Sequence, residues 1–325
     1  MRSWLVIFLW LALAGGVVFA QEQASPLGAV GTLEAGDFRA LAVTADGDRL
    51  LVADAENQQV RIYDFSDPTT PALLWTLDVS GTPVLLAGGE RYGLVAVTTD
   101  SNTDTIEVVA PPLPDRPYLS GFNYIDIPKN PHALALSSDR KWGIVISERG
   151  YMLLGINAPD DIDQFPVDET ILDAALSDTT AYLLRDGVLA TAPLGTLQAM
   201  ETARALGLDG TPSLVRLNPD ASKGVVVLDG SRLLFFDPAT LEQTGAFTVD
   251  GNPITDVQFL SSGDAEYVLV TQADTSTIAV LNASDPGSVQ ALASTQPLDN
   301  PVQALTVYDH YLIVTDGATI RIFST

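Results

Sequence analysis

The chain has 325 residues, of which 41 are Asp or Glu and only 16 are Lys or Arg, so its formal net charge is −25. Binding to nucleic acids or to anionic membrane surfaces draws on clustered Lys and Arg, and a deficit this large argues against both. The sequence contains no cysteine, which excludes disulfides, thiol catalysis, thiolate metal sites and a lipoprotein anchor.

The first 20 residues have the pattern of a secretory signal peptide. Arg2 supplies a short positive region, Trp4–Leu13 is apolar, and small residues stand at Val18 and Ala20 before the expected cleavage point. We therefore expect cleavage after Ala20 and a secreted or periplasmic mature chain, residues 21–325, without a membrane span. The alternative is an uncleaved N-terminal anchor, although the apolar run is short for a membrane-spanning helix.

The stretch Ala40–Pro71 contains three apolar runs separated by two polar turns, which is typical of three antiparallel strands. Its first turn, Asp46-Gly47, has weaker counterparts along the whole chain. These counterparts are Gly89-Glu90, Ser138-Asp139, Ser177-Asp178, Pro219-Asp220, Ser262-Gly263 and Tyr308-Asp309. The six intervals from Asp46 to Asp309 average about 44 residues, the length of one four-stranded propeller blade.

Seven repeats of this length predict an all-β, seven-bladed β-propeller with four antiparallel strands per blade. The second strands, such as Tyr92–Thr98, are continuously apolar, whereas the fourth strands, clearest at Leu73–Val79 and Glu242–Val249, are polar and variable. The seventh unit lacks a fourth strand at the C-terminus, and the spare segment Leu27–Leu33 near the N-terminus is expected to complete it and close the ring. We place the blades of this single domain at about residues 38–81, 82–130, 131–170, 171–211, 212–252, 253–300, and 301–325 with 26–37.

The alternative to a single ring is a chain of two domains. A division into two domains would need a linker, for which Pro111–Pro131 is the only candidate. That segment lies inside the periodic pattern, so we interpret it as an elongated outer strand and loop. Helical periodicity is nearly absent, and only Thr196–Leu206 has room for a turn of helix.

Several segments resemble known propeller repeats. Val60–Pro71 (VRIYDFSDPTTP) and Ile278–Pro286 (IAVLNASDP) resemble LVIVD-type repeats. Leu41–Asp64 resembles the YVTN-type repeats of secreted seven-bladed propellers, and Phe236–Leu241 (FDPATL) matches the same turn. The resemblance implies an extracellular role, often in binding or in a surface layer. It carries no shared catalytic motif, and blades 2 and 4 depart from the pattern.

Candidate binding residues follow the second strands, whose loops open on the same propeller face as the loops after the fourth strands. Every blade places a carboxylate there. The residues concerned are Asp54, Glu56, Asp100, Asp104, Glu148, Asp186, Asp229, Asp274 and Asp316. Asp-Gly is a favoured two-residue turn, so turn chemistry and general acidity are one explanation. The other is a focused negative field that binds Ca²⁺ or a basic partner.

Asp100, Asn102 and Asp104 have the alternating oxygen spacing of a calcium loop. The rest of that motif fails, because no glycine stands at its sixth position and Pro111 replaces the bidentate glutamate. An EF-hand is therefore rejected, and the alternative is a single weak Ca²⁺ site at these three residues.

The chain has two histidines, His132 and His310. His132 is expected at the start of the first strand of blade 3, facing the channel entrance, and His310 in a turn on the opposite face. They are too far apart for a shared zinc site or a Ser-His-Asp triad. His132 is either a ligand-binding residue at the channel entrance or a strand-start histidine bonded to the backbone.

Three functional hypotheses remain. The first is an extracellular, non-enzymatic and monomeric binding module that presents its acidic loops to a protein, a glycan or a cation. The alternative is a metal-dependent, lactonase-like or other hydrolase, with carboxylates such as Asp54, Asp100 and Asp229 holding a metal in the central channel. The third is a structural surface-layer component. The sequence contains no catalytic set and firmly implies no cofactor.

Overall fold

The computed structural model describes residues 25–34, 36–109, 124–158, 161–194 and 204–325. These residues form seven sheets, each of four antiparallel strands. The predicted all-β, seven-bladed propeller is therefore confirmed. The one helix among the described residues is a single 3-10 turn, Pro286–Ser288.

Within each of blades 1 to 6, the four strands are consecutive in the chain and pair in that order. The strands of blades 1 to 3 are β2 (Phe38–Val43), β3 (Arg49–Asp54), β4 (Gln59–Asp64), β5 (Ala72–Asp78), β6 (Thr82–Gly88), β7 (Gly93–Thr98), β8 (Asp104–Val109), β9 (Tyr124–Ile127), β10 (Pro131–Leu136), β11 (Trp142–Ser147), β12 (Gly150–Ala158) and β13 (Asp161–Val167).

The strands of blades 4 to 6 are β14 (Asp173–Leu176), β15 (Thr180–Arg185), β16 (Val188–Pro193), β17 (Arg204–Gly207), β18 (Pro212–Leu217), β19 (Gly224–Leu228), β20 (Arg232–Phe236), β21 (Gln243–Thr248), β22 (Ile254–Ser262), β23 (Ala265–Gln272), β24 (Ala279–Asn282) and β25 (Gln290–Ala291). Blade 7 contains β26 (Ala304–Tyr308), β27 (Tyr311–Thr315), β28 (Thr319–Ser324) and β1 (Gly28–Glu34).

Burial follows the position of a strand within its blade. All five residues of β19, a second strand, are buried, whereas β21, a fourth strand, alternates exposed and half-buried side chains. Neighbouring blades cover both faces of an inner strand, which is why its sequence is continuously apolar. The fourth strand faces solvent and needs an apolar residue only at alternate positions.

Seven apolar clusters form the core, one at each boundary between neighbouring blades. Because successive residues of a strand point to opposite faces, a single strand supplies two clusters. In β3, Leu50 and Val52 pack toward blade 7, and Leu51 between them packs toward blade 2. The hydrophobic stabilisation is therefore distributed around the ring.

The N-terminal strand closes the ring, as predicted. β1 pairs antiparallel with β28, with Thr32 opposite Arg321, and so becomes the outer strand of blade 7. It also approaches blade 1 closely, since a Cβ added to Gly31 would lie 2.9 Å from Pro68 O. The backbone nitrogen of Phe38 donates to Gly317 O at 2.9 Å, which joins blades 1 and 7 a second time.

The structure corrects the expected helical turn at Thr196–Leu206 and places an outer strand within the Pro111–Pro131 segment, as expected. Residues 195–203 lie outside the described residues, but Arg204–Leu206 belong to β17 and not to a helix, because they pair with β16 as the outer strand of blade 4. Of the Pro111–Pro131 segment, residues 111–123 also lie outside the described part, and Tyr124–Ile127 form the outer strand of blade 2. Within the described ranges, no helix is long and apolar enough to cross a membrane.

Antiparallel pairing gives the ring two distinct faces. Loops after the second and fourth strands of each blade lie on one face, which we call the top face. Loops after the first and third strands lie on the opposite, bottom face. First strands of successive blades contact each other all round the ring and surround its central channel.

Candidate binding face and central channel

The structure divides the predicted top-face carboxylates into two groups. Asp54, Asp104, Asp229 and Asp316 are held by local hydrogen bonds or ion pairs. The remaining five are exposed, and they are defined here as the free top carboxylates: Glu56, Asp100, Glu148, Asp186 and Asp274.

Asp54 ends the second strand of blade 1 and is completely buried. Its carboxylate forms an ion pair with Arg61 of the next strand. It also accepts hydrogen bonds from the backbone and the side chain of Asn57, at 3.2 and 3.1 Å. Asp54 therefore fixes the loop that follows it and presents no oxygen to solvent.

Asp104 begins the third strand of blade 2, and its side chain is 1% exposed. Lys129 Nζ lies 2.8 Å from one carboxylate oxygen, and the backbone nitrogens of Thr99 and Asn130 donate at 3.0 and 2.9 Å. Burial raises the pKa of Asp104, but these three donors outweigh burial and lower it below its ordinary value of 3.8. Asp104 thus joins the β7–β8 loop to the connection between blades 2 and 3.

Asp316 stabilises its own loop, and Asp229 joins its loop to the connection between blades 4 and 5. Asp316 accepts from the backbone nitrogens of Thr319 and Ala318 at 2.7 and 3.0 Å, and these bonds lower its pKa although burial opposes them. Asp229 has a positive φ of 54° and accepts from the backbone nitrogen of Thr211 at 2.9 Å. Turn chemistry accounts for the carboxylate of Asp316, and a contact between two loops accounts for that of Asp229.

The free top carboxylates have a different environment. All five side chains are exposed, and no hydrogen bond or ion pair involves them among the residues that the structure describes. They come from blades 1, 2, 3, 4 and 6, so they are spread around the top face. A carboxylate without a neighbouring partner is available to pair with a basic ligand.

The predicted metal residues have different surroundings. Asp100 and Asn102 are exposed in the loop, while Asp104 is buried and faces Lys129. Over the described ranges, no group of three or more His, Asp or Glu has an arrangement suited to a metal ion, and this includes Asp54 and Asp229. Calcium binding by the chain stays a prediction.

His132 lies at a bulge in the first strand of blade 3, where the register skips between Pro131 and Ala133, and its side chain is exposed. His310 lies in the β26–β27 turn at the other end of the ring, with Nδ1 2.6 Å from Asp309 Oδ2.

The His132 bulge recurs in blades 1, 2, 5 and 6. With the equivalent residues of blades 4 and 7 it forms a set around the upper end of the channel, which we call the mouth ring: Arg39, Val84, His132, Leu172, Ser213, Thr255 and Gln303. The mouth ring contains no carboxylate, although it lies on an otherwise acidic face.

A charged network lines the channel below the mouth ring, and sequence reasoning missed it. Arg216 is on the first strand of blade 5. Its Nη1 lies 2.6 Å from Asp173 Oδ2 on blade 4, and its Nη2 lies 3.0 Å from Asp256 Oδ1 on blade 6. The guanidinium therefore joins three successive blades. Burial lowers the pKa of Arg216, but the two carboxylates outweigh burial and raise it.

A signal for this network exists in the aligned repeats. The residue directly after the mouth-ring position is Ala or Leu in five blades, but it is Asp173 in blade 4 and Asp256 in blade 6. Two residues further along the strand, blades 1 to 4 have Ala, whereas blade 5 has Arg216. Charged residues at positions where other repeats carry small apolar ones point to a specific contact.

Comparison with known proteins supports the fold. No protein-family profile matches the chain, and no curated protein matches it. Among solved structures, the chain is similar to the β-propeller domain of Myceliophteria thermophila Cps50 (Swd1), with a TM-score of 0.72 and 14% sequence identity. The match covers 91% of this chain and 99% of that one. At this identity the likeness shows the propeller fold alone.

Proposed function

We propose that this chain is a non-enzymatic binding scaffold that holds a basic protein on its top face. The observation that carries the proposal is the set of five free top carboxylates, which are exposed and have no partner within the described residues. β-propellers are commonly scaffolds for protein interaction, with a rigid ring supporting loops that vary independently.

Charge and surface chemistry support a protein partner. The free top carboxylates surround the mouth ring, where Leu172 is 39% exposed and Val84 is half-buried. Two of the seven mouth-ring residues are thus apolar, and a mixed apolar and polar surface is the usual composition of a non-obligate protein–protein interface. The net charge of −25 adds long-range attraction for a basic partner and faster encounter.

Export is part of the proposal and rests on the sequence of residues 1–20, which lie outside the described residues. A secreted or periplasmic scaffold without cysteine has no disulfides, so its stability depends on burial of apolar side chains. The seven core clusters provide that burial. Mass spectrometry of the exported protein tests this directly, since cleavage after Ala20 leaves Gln21 as the N-terminal residue. An N-terminus at Met1 would contradict it.

The binding proposal is tested with a fluorescein-labelled octalysine peptide as the basic probe, by fluorescence anisotropy in 50 and 300 mM NaCl. One variant neutralises the free top carboxylates as Glu56→Gln, Asp100→Asn, Glu148→Gln, Asp186→Asn and Asp274→Asn. Surface charge pairs contribute a few tenths of a kcal/mol each, so together they should weaken binding about tenfold. The effect should shrink at the higher salt concentration.

A matched control removes the same number of charges from the bottom face. Asp48, Glu90, Asp161, Glu242 and Asp264 are exposed there, and replacing them by Asn or Gln changes the net charge equally. We expect this control to weaken binding by about threefold at most, through the long-range field alone. Equal losses in both variants would mean that the peptide senses only net charge and would overturn the top-face proposal.

A further inference from the structure

Arg140 differs from the other cationic side chains of the described residues. Apart from Arg140, Arg149 and Arg204, every described Lys and Arg forms an ion pair with a carboxylate. Arg204 donates to the carbonyls of Ala239 and Thr240, and Arg149 is exposed to solvent. Arg140 is partly buried and has neither kind of partner.

Arg140 lies in the β10–β11 turn on the bottom face. Its Nε is buried and has no hydrogen-bond partner, and burial lowers the pKa of the guanidinium. A guanidinium nitrogen that has lost water without gaining an acceptor is costly. In a chain with 41 acidic residues, the absence of a carboxylate within 4.0 Å of Arg140 among the described residues calls for an external anion.

A second unpartnered group lies close to it. Tyr92 is 5% exposed, and its hydroxyl is buried without a hydrogen-bond partner. Its ring packs over Gly89, where an added Cβ would lie 2.3 Å from Tyr92 Cζ. Tyr92 belongs to the apolar cluster between blades 2 and 3, against which Leu136 at the end of β10 packs. The β6–β7 turn with Tyr92 and the β10–β11 turn with Arg140 lie on the same face of these two adjacent blades. Burial raises the pKa of Tyr92 to about 12, and the charge of Arg140 partly opposes this shift.

The carboxylates discussed next do not form an ion pair or a hydrogen bond with Arg140 or with the Tyr92 hydroxyl. Asp139 accepts from Ser137 Oγ at 2.7 Å and pairs with Lys141 at 3.3 Å. On the blade 2 side, Arg91 pairs with Asp46 at 3.6 Å.

Glu90 lies near enough to Tyr92 to raise its pKa, but it is exposed and forms no ion pair with Arg140. Each of these three carboxylates is thus either paired with another cation or exposed to solvent.

The backbone at Arg140 also has an uncommon conformation. Its φ is 59°, and the matching turn positions in blades 1 and 6 are Gly47 and Gly263, with φ of 76° and 58°. Glycine adopts this region freely, whereas arginine does so at a cost. Glycine is therefore a substitution that the turn should accept with little strain.

We propose that Arg140 and Tyr92 form a binding site for an oxyanion, a carboxylate or phosphate group, on the bottom face between blades 2 and 3. A guanidinium offers a planar array of donors that matches two anion oxygens, and the phenol hydroxyl adds a further donor. The site is separate from the top face and does not depend on the function proposed for it.

The test measures thermal melting and titration calorimetry of the mature protein with inorganic phosphate and with acetate, at ionic strength matched with NaCl. We expect at least one anion to raise the melting temperature in a saturable manner. Arg140→Gly should abolish the shift, and Tyr92→Phe should weaken the affinity several-fold. Saturation by acetate alone identifies a carboxylate ligand, whereas saturation by phosphate identifies a phosphate group.

Arg149→Ala is the matched control, because it removes an exposed and unpaired arginine from the top face. It should leave the anion-dependent shift unchanged. The proposal is overturned if neither anion stabilises the protein beyond NaCl, or if Arg140→Gly and Tyr92→Phe respond like the wild-type protein. Because Tyr92→Phe keeps the ring packing, it tests the site even if Arg140→Gly were to alter the turn.

Discussion

Arg216 Nη1 lies 2.6 Å from Asp173 Oδ2, and the two residues belong to the first strands of different blades. The Asp173 side chain is 3% exposed, and the Arg216 side chain is 26% exposed toward the channel. Asp173 also accepts from the backbone nitrogen of Val215 at 2.9 Å. Blades 4 and 5 are thus joined at the channel wall by an ion pair that is largely removed from water.

Replacing Arg216 by Ala should destabilise the protein by about 3–5 kcal/mol, because it leaves a buried carboxylate without its cation. Urea unfolding measures the change. Arg39→Ala, which breaks the exposed pair with Asp37, is the control and should cost less than about 1 kcal/mol. Adding Asp173→Ala to Arg216→Ala should recover part of the loss, and similar effects of the two single Arg variants would contradict the assigned role.

Acid should destabilise the fold through its hydrogen-bonded aspartates. The pKa values of Asp104, Asp139, Asp220 and Asp316 are lowered below 3.8 in the folded state, in each case by hydrogen bonds to the carboxylate. A folded pKa below the unfolded one gives stabilisation that is present above pH 3.8 and is lost as the pH falls through the folded value. Asp173 acts in the opposite direction, because burial raises its pKa, but it is a single group.

Melting temperatures between pH 7 and pH 2 therefore should stay level down to about pH 5 and then fall. Asp104→Asn should lower the melting temperature at pH 7, since bonds to a charged group contribute about 1.5–3 kcal/mol, and should flatten the acid decline. Asp100→Asn, at an exposed residue without a partner, should change neither. A decline that is equally steep in the Asp104→Asn variant would refute this origin.

The architecture could be predicted because it repeats. The turn marker recurs at regular intervals, and the spare strand before the first repeat matches the strand missing after the last. Contacts between blades were harder to predict. Arg216 pairs with Asp173 and Asp256, which are 43 and 40 positions away. At the equivalent positions of the seven first strands, the arginine occurs in one and the aspartate in two.

Whether a top-face carboxylate is buried in an ion pair or exposed could not be predicted from the sequence of its own loop. Asp54 and Glu56 are two positions apart, yet Asp54 is buried because Arg61 on the following strand pairs with it, while Glu56 is exposed. Asp104 was expected beside Asp100, but Lys129 from the next blade connection takes its oxygens. Such outcomes depend on partners that only the folded ring brings near.

Removing the closing strand should open the ring. Deletion of residues 21–33 takes away most of β1, which pairs with β28 from Gly28 to Glu34, and exposes the edge of β28. We expect calorimetry to show a melting temperature lower by many degrees, and light scattering to show association through the open edge. Deletion of residues 21–26 is the control, because it ends before Leu27, which is buried in the core. An unchanged melt after the longer deletion would contradict closure by β1.

Two glycines of outer strands in neighbouring blades should respond oppositely to alanine. A Cβ at Gly245 would lie 1.7 Å from Pro286 O, a backbone atom of the next blade, so Gly245→Ala must push two blades apart and should cost about 1–3 kcal/mol or more. Gly207 has nothing within 4 Å of an added Cβ, so Gly207→Ala should be neutral or stabilise by about 0.4–1 kcal/mol through the unfolded state. Urea unfolding measures the change in the free energy of unfolding for both variants. Equal changes would mean that the contact between blades 5 and 6 at Pro286 is less close than in the structure.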